Sequence, residues 1–322
     1  MRPSASTAPP RWLHPSPARL LVGLVLAAVL LAACSSSGST SATGATSGGG
    51  TKVQVVAAEN FWGSIASQLG GVHAQVTSII TNPNTDPHDY EPTAADGRTI
   101  AEAQYVIDNG VGYDPWVPKL VAANQTSGQK VLDVGDLLGL KDGDNPHRWY
   151  FPDNVQRVIE QITAEYKKLD PADAAYFDRQ QQQFETTGLA KYHQLIADIK
   201  AKYSGTPVGA SESIFQGIAQ ATGLALITPY SYLKAISEGT DPTAADKSTV
   251  DAQINDNQIK VWVFNSQNST PDIQTLTTEA KNHHIPVTTI TETLSPAGAS
   301  FQAWQSAQLQ SLEQALARAT GK

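Results

Sequence analysis

Two stretches of the sequence set a histidine among prolines and carboxylates. The first, NTDPHDYEPTAAD (84–96), holds His88 between Pro87 and Pro92, with Asp86, Asp89 and Glu91 around it. The second, GDNPHRWYFPDN (143–154), places His147 after a proline, again with acidic neighbours. Proline stiffens such a loop and fixes the approach of the imidazole. A carboxylate that accepts the proton of one ring nitrogen leaves the other nitrogen ready for a metal ion. The plainer reading of either stretch is a solvated loop histidine. Positions 88 and 147 lie 59 residues apart, so no local H-x-x-x-H helix joins them and only a fold can bring them together.

Other residues invite chemistry and carry a simpler explanation. His283 and His284 end a predicted helix over 271–284, where polar or positive side chains suit exposed carbonyls. His193 and His73 are read as solvated. GASES (209–213) resembles the elbow that carries a hydrolase nucleophile, but Ser213 stands where that turn requires glycine. Trp62 and Trp149 are read as packing residues.

The elements that must position the two histidines alternate between strand and helix. Short runs rich in valine and isoleucine occur at 53–58, 75–80, 104–110 and 130–134. A second set follows at 206–211, 224–228, 259–265 and 285–291, with helical stretches around 213–222, 243–257, 271–284 and 298–319. This alternation predicts parallel βαβ units. Each half is expected to be a small α/β sandwich of about four strands. Thr93 with Asp96 reads as a capping box opening a helix. The helix after His147 is expected to be capped by Asp153 or Asn154. Between the halves, Pro171 suits a first helical turn and Gly205 a stop. A helix over 171–203 would be about 50 Å long and could join the halves as a stiff strut. Gly188 is its weak point, costing about 1 kcal/mol relative to alanine. His88 then falls at the carboxyl end of the 75–80 strand, where open α/β sheets bind ligands.

The ends and the composition narrow the setting. Residues 1–33 combine Arg2, Arg11 and Arg19 with the apolar run LLVGLVLAAVL, which reads as a secretory signal rather than a membrane span. LAAC places Cys34, the single cysteine, at the position that is lipidated in a bacterial lipoprotein. One cysteine permits no disulfide within the chain. Residues 34–51 are rich in Ser, Gly and Thr and read as a flexible tether. The net charge of −8 becomes −11 once the three leader arginines are removed. With no basic patch, nucleic-acid binding is excluded.

DPHDYEPT, NGVGYDPW (109–116) and NPHRWYFPDN together resemble the signatures of zinc- and manganese-binding lipoproteins of bacterial metal ABC importers. The likeness extends over ENFWG, GASESIFQGIAQATGL and TITETLSP…FQAWQ, in order, and so covers nearly all of the mature chain. It implies two α/β domains joined by one long rigid helix, with one metal in the cleft between them. It also implies four ligands: two histidines, then a histidine or glutamate, then a carboxylate that is usually aspartate. Matched motif by motif these are His88, His147, Glu212 in GASESIF and Glu292 in TITETL. The residues alone do not single out the two glutamates, since Glu238 and Glu279 are equally available.

Two neutral imidazoles and two carboxylates match a divalent cation in charge. Four protein ligands leave little room for an activated water, which favours carriage over catalysis. The expected cargo is Zn²⁺ or Mn²⁺, and the absence of a histidine-rich loop disfavours a dedicated zinc scavenger. The expected domains are a leader (1–33), a tether (34–51), a first metal-binding lobe (52–168), a linking helix (169–205) and a second lobe (206–322). The chain is expected to be a monomer, not an enzyme, lipid-anchored on the outer face of the cell membrane and serving an ABC permease. The rival readings are an adhesin-type lipoprotein with a structural metal and a metallohydrolase.

Overall fold

The computed structural model describes residues 51–322 apart from Asn84, Asp86, His88, Asp89 and Gln125. The leader, the lipidation candidate Cys34 and His88 therefore lie outside the described residues.

Four strands, β1 (Val53–Glu59), β2 (Ala74–Ile80), β3 (Tyr105–Asp108) and β4 (Lys130–Asp133), form a parallel sheet in the order β2-β1-β3-β4. Central β1 is buried along nearly its whole length, hence the near-continuous apolar run VQVVAAE. Its neighbour β2 lies at the edge and mixes exposed with buried positions. Crossovers run through α1 (Asn60–Gly70), α2 (Ala94–Glu102) and α3 (Trp116–Ala123). On one face, Val56, Ile80 and Val106 pack against Ile100, Trp116 and Val117 of α2 and α3. The other face meets α1 in the main core. The capping box opens α2 as expected: Asp96 N donates to Thr93 Oγ1 at 3.4 Å, and Thr93 N donates back to Asp96 Oδ2 at 2.6 Å.

After α4 (Val134–Leu138) and a loop, a short 3₁₀ turn over Arg148–Tyr150 leads into α5 (Pro152–Leu169). The expected cap at Asp153 or Asn154 is not found. Pro152 takes the first helical position, where its missing N–H costs nothing, and Phe151 becomes the cap residue. Asp153 instead sits in the first turn, where its charge favours the helix dipole.

The linking segment is helical, but two features divide it. A 3₁₀ turn over Pro171–Asp173 precedes α6 (Ala174–Gln183), and a π turn over Phe184–Gly188 precedes α7 (Ala190–Tyr203). Gly188 marks that irregularity: a Cβ there would lie 3.1 Å from the ring of buried Phe184.

The second sheet repeats the first plan with β5 (Pro207–Ala210), β6 (Ala225–Leu226), β7 (Trp262–Asn265) and β8 (Val287–Ile290), parallel and ordered β6-β5-β7-β8. Its helices are α8 (Gln216–Thr222), α9 (Tyr230–Ser237), α10 (Ala244–Asn255), α11 (Pro271–Asn282) and α12 (Phe301–Thr320). The switch points fall between β1 and β3 and between β5 and β7, and ligands in such sheets bind beyond the carboxyl ends at those crevices.

The halves are held together by more than the linking segment. One hydrophobic core runs through both, including Phe61, Trp149, Tyr150, Leu195, Phe215 and Trp304. Across the seam, Tyr150 lies against Trp304 with ring centroids 5.5 Å apart. Phe301 N donates to Ser64 Oγ at 2.9 Å, and Gln68 and Gln302 exchange hydrogen bonds at 3.1 and 2.6 Å. Buried aromatic area of this kind is the largest favourable contribution a seam can offer. A hinge opening the halves would expose it to water. Among the described residues no helix is long and apolar enough to cross a membrane.

Candidate metal centre

Three of the four sequence-derived ligands meet in the crevice between the sheets. His147 ends the loop after α4, Glu212 follows β5, and Glu292 follows β8. Ligand atoms of all three lie within 4.8 Å of one another, and the residues are only 0, 1 and 3 % exposed. His147 Nε2 stands 3.4 Å from Glu292 Oε2. For His88 the structure gives no position; its neighbour Pro87 is buried.

The loop that delivers His147 is clamped by one amide. Asn145 Nδ2 donates across the crevice to Ser213 O at 2.8 Å and to Gln216 Oε1 at 2.9 Å. Its Oδ1 therefore faces back, accepting from His147 N at 3.0 Å and lying 2.8 Å from His147 Nδ1. An acceptor at that distance requires the proton on Nδ1. The lone pair is then on Nε2, the nitrogen facing the glutamates, as a metal ligand needs. Gly217 of the GASESIFQG stretch lets α8 press on this loop, because a Cβ there would collide with the Tyr150 carbonyl.

The glutamates are oriented just as closely. Glu292 accepts from Tyr113 Oη at 2.9 Å and from Asn265 Nδ2 at 2.7 Å. Glu212 Oε2 accepts from Ser237 Oγ at 3.2 Å and Asn268 Nδ2 at 3.4 Å. Ser237 Oγ lies 2.8 Å from Ser213 Oγ, which lies 3.4 Å from His147 Nδ1. With the Nδ1 proton given to Asn145, Ser213 Oγ has no lone pair to donate to there; Ser237 donates to Glu212, so Ser213 donates to Ser237. Glu212 Oε1 is buried and accepts from no group among the described residues.

The electrostatics of this set are unfavourable without a cation. Burial, then the nearby Glu292 charge, pushes the Glu212 carboxyl up to about 8, with His147 acting in the opposite direction. An orphaned carboxylate oxygen, a second carboxylate and an imidazole lone pair form a nitrogen–oxygen donor set of net charge −2. That set fits a divalent first-row ion.

Sequence reasoning did not identify Tyr113, Asn145, Asn265, Ser213, Ser237 or Asn268. Asn265 ends a predicted strand and Tyr113 lies in the quoted NGVGYDPW, so position was a usable signal for both. Ser213 and Asn145 likewise lie in quoted stretches, GASESIF and GDNPHRWYFPDN; Ser237 and Asn268 carried no signal. The rival glutamates are elsewhere: Glu238 is exposed and pairs with Lys234 at 2.9 Å, and Glu279 lies on α11. His283 caps α11 and His284 adopts a left-handed conformation. His73 is not simply solvated. It is half-buried, with Nδ1 3.0 Å from Asp173 and 3.6 Å from Asp170. Trp149 and Trp62 are buried as expected, and Trp62 Nε1 also anchors Asn109 Oδ1 at 3.1 Å.

The profile of the family described as zinc-uptake complex component A, periplasmic (ZnuA), matches residues 55–315. The chain belongs to this family. Among relatives of this zinc-uptake component A family member, a protein described as a metal ABC transporter substrate-binding lipoprotein, ScbA of Streptococcus cristatus, is 25 % identical over 288 residues, 84 % of this chain and 87 % of its own. A manganese ABC transporter substrate-binding lipoprotein, PsaA of Streptococcus pneumoniae, is 23 % identical over 286 residues, 83 % and 86 % of the two chains. The fold is shared with a Cd-bound periplasmic metal-binding protein from Candidatus Liberibacter asiaticus, at a TM-score of 0.66, 19 % identity, and 82 % and 100 % coverage. It is shared too with the Pseudomonas aeruginosa binding protein FpvC in complex with Mn²⁺, at a TM-score of 0.67, 20 % identity, and 83 % and 98 % coverage.

Proposed function

We propose that this protein captures a divalent transition metal, Zn²⁺ or Mn²⁺, through His88, His147, Glu212 and Glu292, and passes it to an ABC permease. The observation that carries the reading is the meeting of His147, Glu212 and Glu292 in a dry crevice, one carboxylate oxygen having no donor. The membership of the zinc-uptake component A family and the metal-transport names of the relatives point the same way. Cys34 would carry the lipid anchor, residues 34–51 the tether, and the membrane's outer face the mature protein, a monomer. The lobes 52–168 and 206–322, flanking the linking residues 169–205, would each contribute two ligands. The metal is cargo and not a catalyst, so no enzymatic activity is assigned.

What this chain's residues do follows from the geometry. Asn145 holds the tautomer, Tyr113 and Asn265 aim Glu292, and Ser237 aims Glu212. Metal arrival displaces the proton held on the glutamates, so uptake releases protons and weakens in acid. Because the aromatic seam resists hinge opening, release is expected through smaller shifts such as those of the 140–147 loop. The test is metal content by mass spectrometry on purified protein and on H88A, Glu212→Ala and Glu292→Ala. One ion per wild-type chain and markedly less in each variant is expected. Undiminished content in a variant removes that residue from the set.

A further inference from the structure

The metal centre uses none of a second group of acids lying behind it in the N-terminal half. Glu59 ends β1, Asp108 ends β3 and Asp114 lies in the following turn, exposed by 0, 3 and 1 %. No lysine, arginine or histidine among the described residues forms an ion pair with any of the three. Isolated buried carboxylates are too costly to persist as such, so some of these groups must keep their protons.

The hydrogen bonds indicate which. Asp114 Oδ2 accepts from Asn109 N at 2.7 Å and Oδ1 from Gly110 N at 2.8 Å, the partners of a carboxylate. Neither Glu59 oxygen has a hydrogen-bond partner of good geometry among the described residues. Parallel pairing of β1 with β3 sets Glu59 beside the 109–114 turn, and Asp114 is the acid that bears on it most strongly, its own backbone N–H acting more weakly in the opposite direction. Two carboxyl groups can bond only if one retains a proton, and Asp114, already served by two amides, is the anion. Glu59 is then the acid. Burial, then Asp114 and Asp108, holds the Glu59 carboxyl well above its usual range, and burial brings Asp114 only to about 6 against its two backbone donors. The remaining charged groups nearby are all acidic: Asp108, pushed up to about 9 by burial and Asp114, with Asp133 and Asp136 bearing on it and Asp142 beside the turn.

The turn that Asp114 closes is strained. Gly110, Val111 and Gly112 have φ of 65°, 57° and 73°, a region that a β-branched valine enters only under strain. This turn also reaches the metal centre twice. Tyr113 Oη donates to Glu292, and Asn109 Nδ2 donates at 2.9 Å to the carbonyl of Pro146, the residue before His147.

We propose that Glu59 and Asp114 form a buried acid pair sharing one proton, which holds the strained 109–114 turn and thereby positions Glu292 and His147 for the metal. Both are positioning residues that touch no ion. Loss of the shared proton sets two buried anions face to face, and the turn relaxes.

The inference rests on the metal-carrier reading for its consequence but not for the pair itself, so two measurements separate them. The first is urea unfolding of the metal-free wild type and of Glu59→Gln from pH 6 to 8. A glutamine supplies a permanent donor of the same shape. The folded wild type keeps a proton that its unfolded chain has released, so its stability is full below the ordinary glutamate range and lost as pH rises. Its unfolding constant relative to Glu59→Gln should therefore climb about tenfold per pH unit. A ratio independent of pH overturns the pair. The second is competitive Mn²⁺ titration at pH 7.5. Glu59→Gln should stay within about threefold of wild type, whereas Glu59→Ala and Asp114→Asn should each weaken binding about 10- to 100-fold at unchanged stoichiometry, the range for residues that support metal ligands. Wild-type affinity in all three overturns the positioning role. A wild type that takes up no metal defeats the carrier reading while the unfolding ratio still decides the pair.

Discussion

Among the described residues, two places bring one imidazole and two carboxylates within reach of a single ion, and they differ in almost everything else. His147, Glu212 and Glu292 are buried; His147 donates to the Asn145 amide oxygen, and the two glutamates accept from hydroxyl and amide donors. His73, Asp170 and Asp173, where α5 turns into α6, have side chains 18, 22 and 39 % exposed. In the second set water screens the charges, and the side chains adjust to one another as an ordinary ion pair. In the first set neither escape is open. Desolvation and mutual repulsion are then relieved by a proton or by a cation. The chemistry of the donors is alike in both; the dielectric around them makes one a binding site and leaves the other a surface clamp.

The comparison breaks most visibly under substitution. Glu212→Ala should weaken Zn²⁺ and Mn²⁺ binding by more than about a hundredfold, as expected when a buried charge set loses a member worth roughly 3–5 kcal/mol. His73→Ala should change it less than about twofold. Competition against a fluorescent chelator measures both, and equal losses would erase the distinction.

A pH series sharpens it next. The Glu212 carboxyl titrates at about 8 in the metal-free protein, so below that pH metal must displace a proton. Affinity should fall about tenfold per pH unit between pH 7.5 and 6, with about one proton released per ion at pH 7. Calorimetry in buffers of different ionisation enthalpy reads that proton. The sign reverses for folding without metal: the raised carboxyl stabilises the metal-free protein below about 4.5, and the contribution is lost as pH rises through 8.

Smaller effects follow at the supporting residues. Tyr113→Phe removes the donor to Glu292 while keeping the ring, and a loss of about tenfold in affinity at unchanged stoichiometry is expected. Least of all should change with Asp173→Asn: metal binding unaltered, and urea stability lower by less than about 1 kcal/mol.

Much of the architecture was legible before the structure, because it rests on local patterns. The valine-rich runs became the eight strands, and Thr93 with Asp96 became a capping box. Where two local signals competed, the reading failed. Pro152 outranked Asp153 at the start of α5. Gly188, read as the weak point of the linking helix, does close a π turn over Phe184–Gly188. Part of the site was legible too. Strand ends at Glu212 and Glu292 mark where α/β sheets bind ligands, but the residues alone did not choose them over the other available glutamates, Glu238 and Glu279. Nothing in the sequence distinguished Ser237 or Asn268 from any other polar residue. The buried acid Glu59 appeared only as the first residue of ENFWG, with no role of its own.

The amino-acid order alone thus determined the repeat of strand and helix, and it carried the leader-like pattern ending at Cys34 and the two Pro-His stretches, since each depends on residues a few positions apart. Which carboxylates meet, which nitrogen of His147 carries the proton, and which acids stay neutral were settled only by packing. Those outcomes depend on burial and on partners up to 179 positions distant, as for Tyr113 and Glu292. Free energies of desolvation do not exist until the chain has folded around the groups that bear them.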